Sequence, residues 1–201
     1  MRQLMLLRHA KSSWDDPATA DKDRTLNADG RRAAALIRDT IRKLGLTPDL
    51  ILVSSARRTL ETLDLLEPWD EMPLIETMDS LYLASADRLL AAVRGVAETV
   101  RGVLVIAHNP GMHDLALALA DAGDDTGGGS ERITGGTIGG ESPSAMHPAD
   151  SMRRLANGFP TAGLAEFAIP GPWSSLDAGG GRLVRFLTPR FLSRNSQGTG
   201  S

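Results

Sequence analysis

Arg8-His9 stands directly behind the apolar run Leu4-Met5-Leu6-Leu7, and two later apolar runs end in Ser54-Ser55-Ala56-Arg57-Arg58 and in Ala107-His108-Asn109-Pro110. A neutral imidazole is a competent phosphoryl acceptor when one ring nitrogen points at phosphorus and a neighbour fixes its tautomer. His9 is the candidate for that role. Arginine forks grip two phosphate oxygens each and keep their charge in a partly dry site, so Arg8 and either Arg57 or Arg58 are the candidate clamp. A protonated His108 could donate to a phosphate oxygen and stabilise the charge that gathers on it, in which case its pKa is expected to rise. The turn His108-Asn109-Pro110-Gly111 leads into a helical pattern whose first amides would face the same place, which adds Asn109 to the candidate substrate-binding residues. Any one of these residues alone would be unremarkable; the signal is that three strand ends carry them.

For such residues to meet, the strands must be parallel neighbours, because loops beyond the carboxyl ends of a parallel α/β sheet share one crevice. Residues 3–7 form an apolar run without alternation, as expected of a strand covered on both faces. Asn27 is placed to cap a helix from about Ala28, with Ala34, Ile37, Ile41 and Leu44 as its stripe and Gly45 as its end. A strand is expected from Leu50 to Val53. Ser55 would then cap a helix that buries Leu60, Leu63 and Leu66 and stops before Pro68. A short strand near Leu74-Ile75, a helix from about Ala86 to Arg101, a strand over Val103–Ala107 and a helix from Gly111 follow. Beyond a short helix around Ala149–Ala156, strands at Leu164–Ile169 and Arg182–Leu187 would make a sheet edge. The expected fold class is α/β, a three-layer α/β/α sandwich around a mostly parallel central sheet.

At 201 residues, with 41% hydrophobic and 23% charged side chains, the chain has the size and balance of one globular domain. We place that domain at residues 1–192, with a flexible Gly-rich insertion at about 121–146 and a disordered tail over 193–201. The insertion would be a plain surface loop or a lid over substrate. The net charge of -3 excludes a broad basic face for nucleic acid, so any positive field must be local. There are no cysteines, which removes thiolate nucleophiles and disulfides and fits a cytoplasmic location. The opening apolar run is too short for a signal peptide core or a membrane span. The four histidines lack HExxH spacing and the glycine runs lack a Walker pattern, so neither a metal nor a nucleotide cofactor is expected. His113 and His147 read as structural or surface residues. Trp69 reads as packing, and Trp14 lies close enough after His9 to border a pocket mouth.

The strings LLRHAKSSW, SSARRTLET and VIAHNPG together resemble the histidine phosphatase superfamily, whose fold is phosphoglycerate mutase-like. The likeness runs over residues 1 to 120 and again from Phe159 to Leu192. RHAKSSWDD, DRTLNADGRR, FPTAGLAEF and FLTPRFL are similar to the short SixA-like branch of phosphohistidine phosphatases. The resemblance selects Arg58 over Arg57. It implies that His9 becomes transiently phosphorylated, that Arg8, Arg58 and His108 clamp the phosphoryl group, and that water releases phosphate without a cofactor. Ala10 replaces the superfamily's usual glycine, a change the branch accommodates.

Mutases and many phosphomonoesterases of the superfamily carry a proton-donating glutamate after the third strand, whereas residues 76–84 here offer only Glu76 and Asp79 as weak candidates. A phosphoramidate needs such an acid less than an alkyl phosphate does, because its leaving group departs as neutral imidazole. The expected substrate is therefore phosphohistidine on a protein, such as a phosphotransfer or phosphorelay protein. The rivals are a small-molecule phosphomonoesterase acting on a phosphorylated metabolite and, in another class, a non-catalytic phosphate-binding module. No membrane or nucleic acid partner is expected.

Overall fold

A computed structural model describes residues 1–120 and 148–196; the expected insertion over 121–146 lies outside the described residues. A six-stranded sheet in the order β3-β2-β4-β1-β5-β6 forms the middle layer. Its strands are β1 (Arg2–Arg8), β2 (Leu50–Ser54), β3 (Leu74–Met78), β4 (Gly102–Ala107), β5 (Leu164–Ile169) and β6 (Arg182–Leu187). β3, β2, β4 and β1 run parallel, while β5 lies antiparallel to both β1 and β6. The sheet is thus mostly parallel. β5 is an interior strand, and only β6 forms that edge.

The helices are α1 (Ala28–Lys43), α2 (Arg57–Asp64), α3 (Ala86–Arg94), α4 (Gly111–Ala120), α5 (Pro148–Ala156) and α6 (Pro189–Ser196). Side-chain alternation along the strands sorts the core into two layers. Leu4, Leu6, Val103 and Val105 face Leu89, Val93, Met112, Leu115 and Leu155 of α3, α4 and α5. Met5, Leu7, Leu104 and Ile106 face Ala34, Ile37 and Ile41 of α1 and Leu63 of α2, with Phe191 and Leu192 of α6 against the same cluster. Every residue of β4 is buried, which is why the run reads as continuously apolar.

Several boundaries differ from expectation for local reasons. Asn27 does cap α1, its side-chain oxygen accepting from the Gly30 amide at 2.8 Å, and Gly45 takes a positive φ of 62° beyond the helix end. Ser55 does not cap α2: its hydroxyl donates to Asp79, the N-cap is Ala56, and Thr59 Oγ1 donates to the carbonyls of Ser54 and Ala56, at 2.6 Å each. α3 stops at Arg94, with Gly95 as its C-cap, instead of continuing to Arg101. The chain turns there so that Glu98 accepts from the amides of Trp173 and Ser174, at 3.0 Å each. The expected tail begins too early, since α6 runs to Ser196, started by Pro189 and held by Phe191 and Leu192 against the core. Residues 197–201 lie outside the described residues. Among the described residues no helix is long and apolar enough to cross a membrane.

Candidate active site

The carboxyl ends of β1, β4 and β2 lie side by side, with Arg8 paired to Ala107 and Val53 to Ile106 in register. His9 leaves β1 with its amide still bonded to the Ala107 carbonyl at 3.1 Å, and His108 follows at the end of β4. Both imidazoles are buried, and their ring centroids are 5.0 Å apart. Arg58, in the first turn of α2, lies between them at only 4% exposure. Its Nε donates to His9 Nε2 at 3.3 Å, and Nη2 donates to His108 Nδ1 at 3.3 Å.

The partners of each ring fix its tautomer. His9 Nδ1 lies 2.7 Å from the Ala10 carbonyl, which can only accept, so Nδ1 carries the proton and the Nε2 lone pair faces Arg58. His108 Nδ1 faces a guanidinium, which can only donate, so its proton sits on Nε2 and goes to Ser54 Oγ at 2.7 Å. Burial, with the positive charges of Arg58 and Arg8 outweighing the Ala10 hydrogen bond, holds His9 at a pKa of about 4. His108 is lowered to about 3 by burial first, then by His9 and Arg58. The expected rise of His108 is reversed, because burial together with His9, Arg58 and Arg8 outweighs the opposing charge of Asp21. His108 Nδ1 is then the atom that would take a proton when a dianion arrives.

The string Arg58-Thr59-Leu60-Glu61-Thr62 does more than carry one arginine. Thr62 Oγ1 accepts from the Ala10 amide at 3.0 Å and donates to the Arg58 carbonyl at 2.6 Å, tying the loop after β1 to α2. Glu61 accepts from the Leu26 amide at 2.8 Å and pairs with Arg57 at 3.0 Å. Arg57 therefore points outward, as the family spacing implied. Arg8 donates to the Phe159 carbonyl at 2.8 Å, and Asn109 Nδ2 donates to the same oxygen at 2.9 Å. These two thus flank the cluster without touching His9 or His108 through a hydrogen bond. His113 is tied to the Leu155 carbonyl at 2.8 Å, a structural contact.

Two site residues escaped sequence reasoning. Asp21 lies in a short 3-10 helix, Asp21–Asp23, and engages Arg58 twice, through its carbonyl to Nη1 at 2.5 Å and through Oδ2 to Nη2 at 3.0 Å. Tyr82 donates to the same carboxylate at 2.7 Å, and its ring meets His108 edge-on at 5.6 Å. The Tyr82 hydrogen bond and the Arg58 charge hold Asp21 below the usual carboxylate range; burial and Asp21 in turn raise Tyr82. Tyr82 belongs to the stretch 76–84 where an acid was sought. Of the weak candidates there, Asp79 is bound to Lys22 at 2.7 Å and to Ser55, and Glu76 lies exposed on the edge strand β3. A single acid in a polar loop carries no periodic signal, so Asp21 could be found only in three dimensions. Trp14 is 79% exposed and stacks under Arg24, whose Cζ is 3.0 Å from its ring centroid. Among the described residues no group of three or more His, Asp or Glu side chains is arranged to hold a metal ion.

A mostly parallel α/β sheet presenting two neutral histidines across a buried arginine is an arrangement suited to phosphoryl transfer. The chain belongs to the histidine phosphatase superfamily: residues 4–81 match its branch 1. It is 30% identical over 92% of its length to the whole of an uncharacterized protein of Mycobacterium leprae. Among solved structures it is similar to two SixA proteins assigned as phosphohistidine phosphatases. That of Nakamurella multipartitia is 26% identical, with a TM-score of 0.72 over 94% of this chain and 96% of that one. That of Agrobacterium tumefaciens is 29% identical, with a TM-score of 0.70 over 94% and 98%. The superfamily supports a phosphatase, a hydrolase of phosphoryl groups.

Proposed function

We propose that this protein removes phosphate from phosphohistidine on a protein, through a phosphohistidine intermediate on His9, and works in the cytoplasm. The observation that carries the reading is the locked tautomer of His9, whose Nδ1 proton is held on Ala10 while Nε2 faces Arg58. The nucleophilic lone pair is thus present at neutral pH. In the first step His9 Nε2 forms a bond to phosphorus as the substrate's P–N bond breaks; the departing nitrogen takes the bond's electron pair, and the proton on the other ring nitrogen of the substrate imidazole lets it leave neutral. Arg58 and Arg8 hold the equatorial oxygens, and His108, which takes a proton from solvent at Nδ1 as the dianion binds, donates to one of them. Water then attacks phosphorus on His9, releasing inorganic phosphate and returning the lone pair to Nε2.

The substrate class rests on the proton inventory beside the cluster. The carboxylate there, Asp21, is held ionised by Tyr82 and Arg58, so it is a poor proton donor to an alkoxide. A P–N substrate makes no such demand. Tyr82, which keeps its proton, is the observation favouring the second reading, a small-molecule phosphomonoesterase with the phenol as acid.

Phosphate release from a phosphohistidine protein and from a generic aryl phosphate, by wild type and by His9→Ala, tests these readings together. Preference for the protein by wild type, with an inactive variant, supports the proposal. Hydrolysis of the aryl phosphate alone supports the metabolite phosphatase, and silence on both substrates points to a phosphate-binding module.

A further inference from the structure

Beside the catalytic cluster lies a second concavity, an open cleft of about 810 Å³ that shares Arg8 and Asn109 with it and extends away from His9 between the loop after β1, α5 and α6. Lys11, Arg154 and Arg190 come to it from those three elements. Arg8 makes a fourth cation at its inner end. Among the described lining residues Asp29 is the one carboxylate, and it is already engaged by Lys11 at 3.3 Å and by Arg32. Among the described residues no carboxylate pairs with Arg154 or Arg190. Arg154 is half-buried and stacks on Phe191, its Cζ 4.2 Å from the ring centroid, so its fork is presented in a fixed direction. A cationic trough in a chain of net charge -3 stands against the overall balance of the molecule.

We infer that this cleft is a docking groove for an acidic segment of the protein substrate, the stretch that flanks the phosphorylated side chain delivered to His9. The inference rests on the proposed phosphoprotein substrate and adds how such a protein is chosen. A phosphate ester of small size would fill the His9 cluster with Arg8 and leave Lys11, Arg154 and Arg190 unused. An acidic peptide strand or helix face reaching past Arg8 would meet Lys11, Arg154 and Arg190 in turn. Partly exposed pairs of this kind contribute little singly, and about three together make roughly a tenfold preference.

The test uses matched peptides that carry one phosphohistidine or one phosphotyrosine between acidic, neutral or basic flanks. They are hydrolysed by the full chain, by Arg154→Glu/Arg190→Glu and by Arg190→Glu alone, the last changing an exposed residue that no packing depends on. For wild type, acidic flanks are expected to raise kcat/KM about tenfold over neutral ones, mainly through KM, with the advantage shrinking in high salt. Both variants should lose the preference or invert it. Indifference of wild type to the flanks, a preference that survives charge reversal, or no turnover of any peptide overturns the groove. If phosphotyrosine peptides show the preference and phosphohistidine peptides are not cleaved, the groove stands and the proposed substrate falls. If phosphohistidine peptides are cleaved at one rate whatever their flanks, the substrate stands and the groove falls.

Discussion

His108 is held neutral by burial and by its neighbours, and this has a measurable sign. Its folded pKa of about 3 and that of His9, about 4, lie below the ordinary imidazole value of about 6.5. Between those limits the unfolded chain binds protons that the folded chain refuses, so stability is full above about pH 6.5 and falls as pH drops toward 4 and 3, at about 1.4 kcal/mol per group per unit. Chemical denaturation at stepped pH should show that slope, and His108→Asn should flatten it; an equal slope in the variant would place the acid sensitivity elsewhere. Binding of inorganic phosphate at pH 8, where the ligand is already a dianion, should take up close to one proton in wild type and far less in His108→Asn. Calorimetry in buffers of different ionisation enthalpy measures the uptake. At Arg58, lysine cannot reproduce a fork that spans His9, His108 and Asp21, so Arg58→Lys should lower kcat/KM by about a hundredfold or more, while Arg57→Ala should change it by about twofold at most. Arg8, His9, Arg58 and His108 were legible as candidates because each stands at or shortly after the end of an apolar strand. Asp21 was not, since its role depends on where a loop folds back.

At the level of elements, α1 and α2 position the loop that carries His9. Thr62 of α2 holds the Ala10 amide, and Gly30 of α1 sits so close to that loop that an added Cβ would lie 2.1 Å from the Lys11 carbonyl. Gly30→Ala should therefore destabilise the fold by about 1–3 kcal/mol and lower activity in the surviving folded fraction by shifting the loop. A variant with wild-type melting and turnover would mean that α1 moves without disturbing His9. The α1 boundary could be read because an Asn cap and a C-terminal glycine both act within a few residues. The α3 end could not, because apolar spacing continues through Val96 and Val100, which stay packed on the core after the helix has stopped. Ser55 failed as a cap for a similar reason: a partner distant in sequence, Asp79, took its hydroxyl.

On the scale of the molecule, the layer order and the parallel half of the sheet followed from apolar runs alternating with helical stripes, and the crevice at the strand ends followed from topology. The placement of β5 between β1 and β6 had no local signature, since pairing direction is set by how the chain returns across the sheet. The acidic balance of the chain also concealed the concentration of positive charge in one region, where Asp21 is the resident anion. Arg58 thus already has a counter-ion, so under the proposed function entry of a phosphoryl group would exchange one anion for another, with Asp21 placed to return to Arg58 as phosphate departs. Asp21→Asn should bind inorganic phosphate more tightly and turn over more slowly under product, read as a lower inhibition constant; unchanged inhibition would dismiss the exchange. If that exchange operates, Asp21 governs release more than capture: an internal competitor for Arg58 lets the site clear its product without loosening the grip that recognises the substrate.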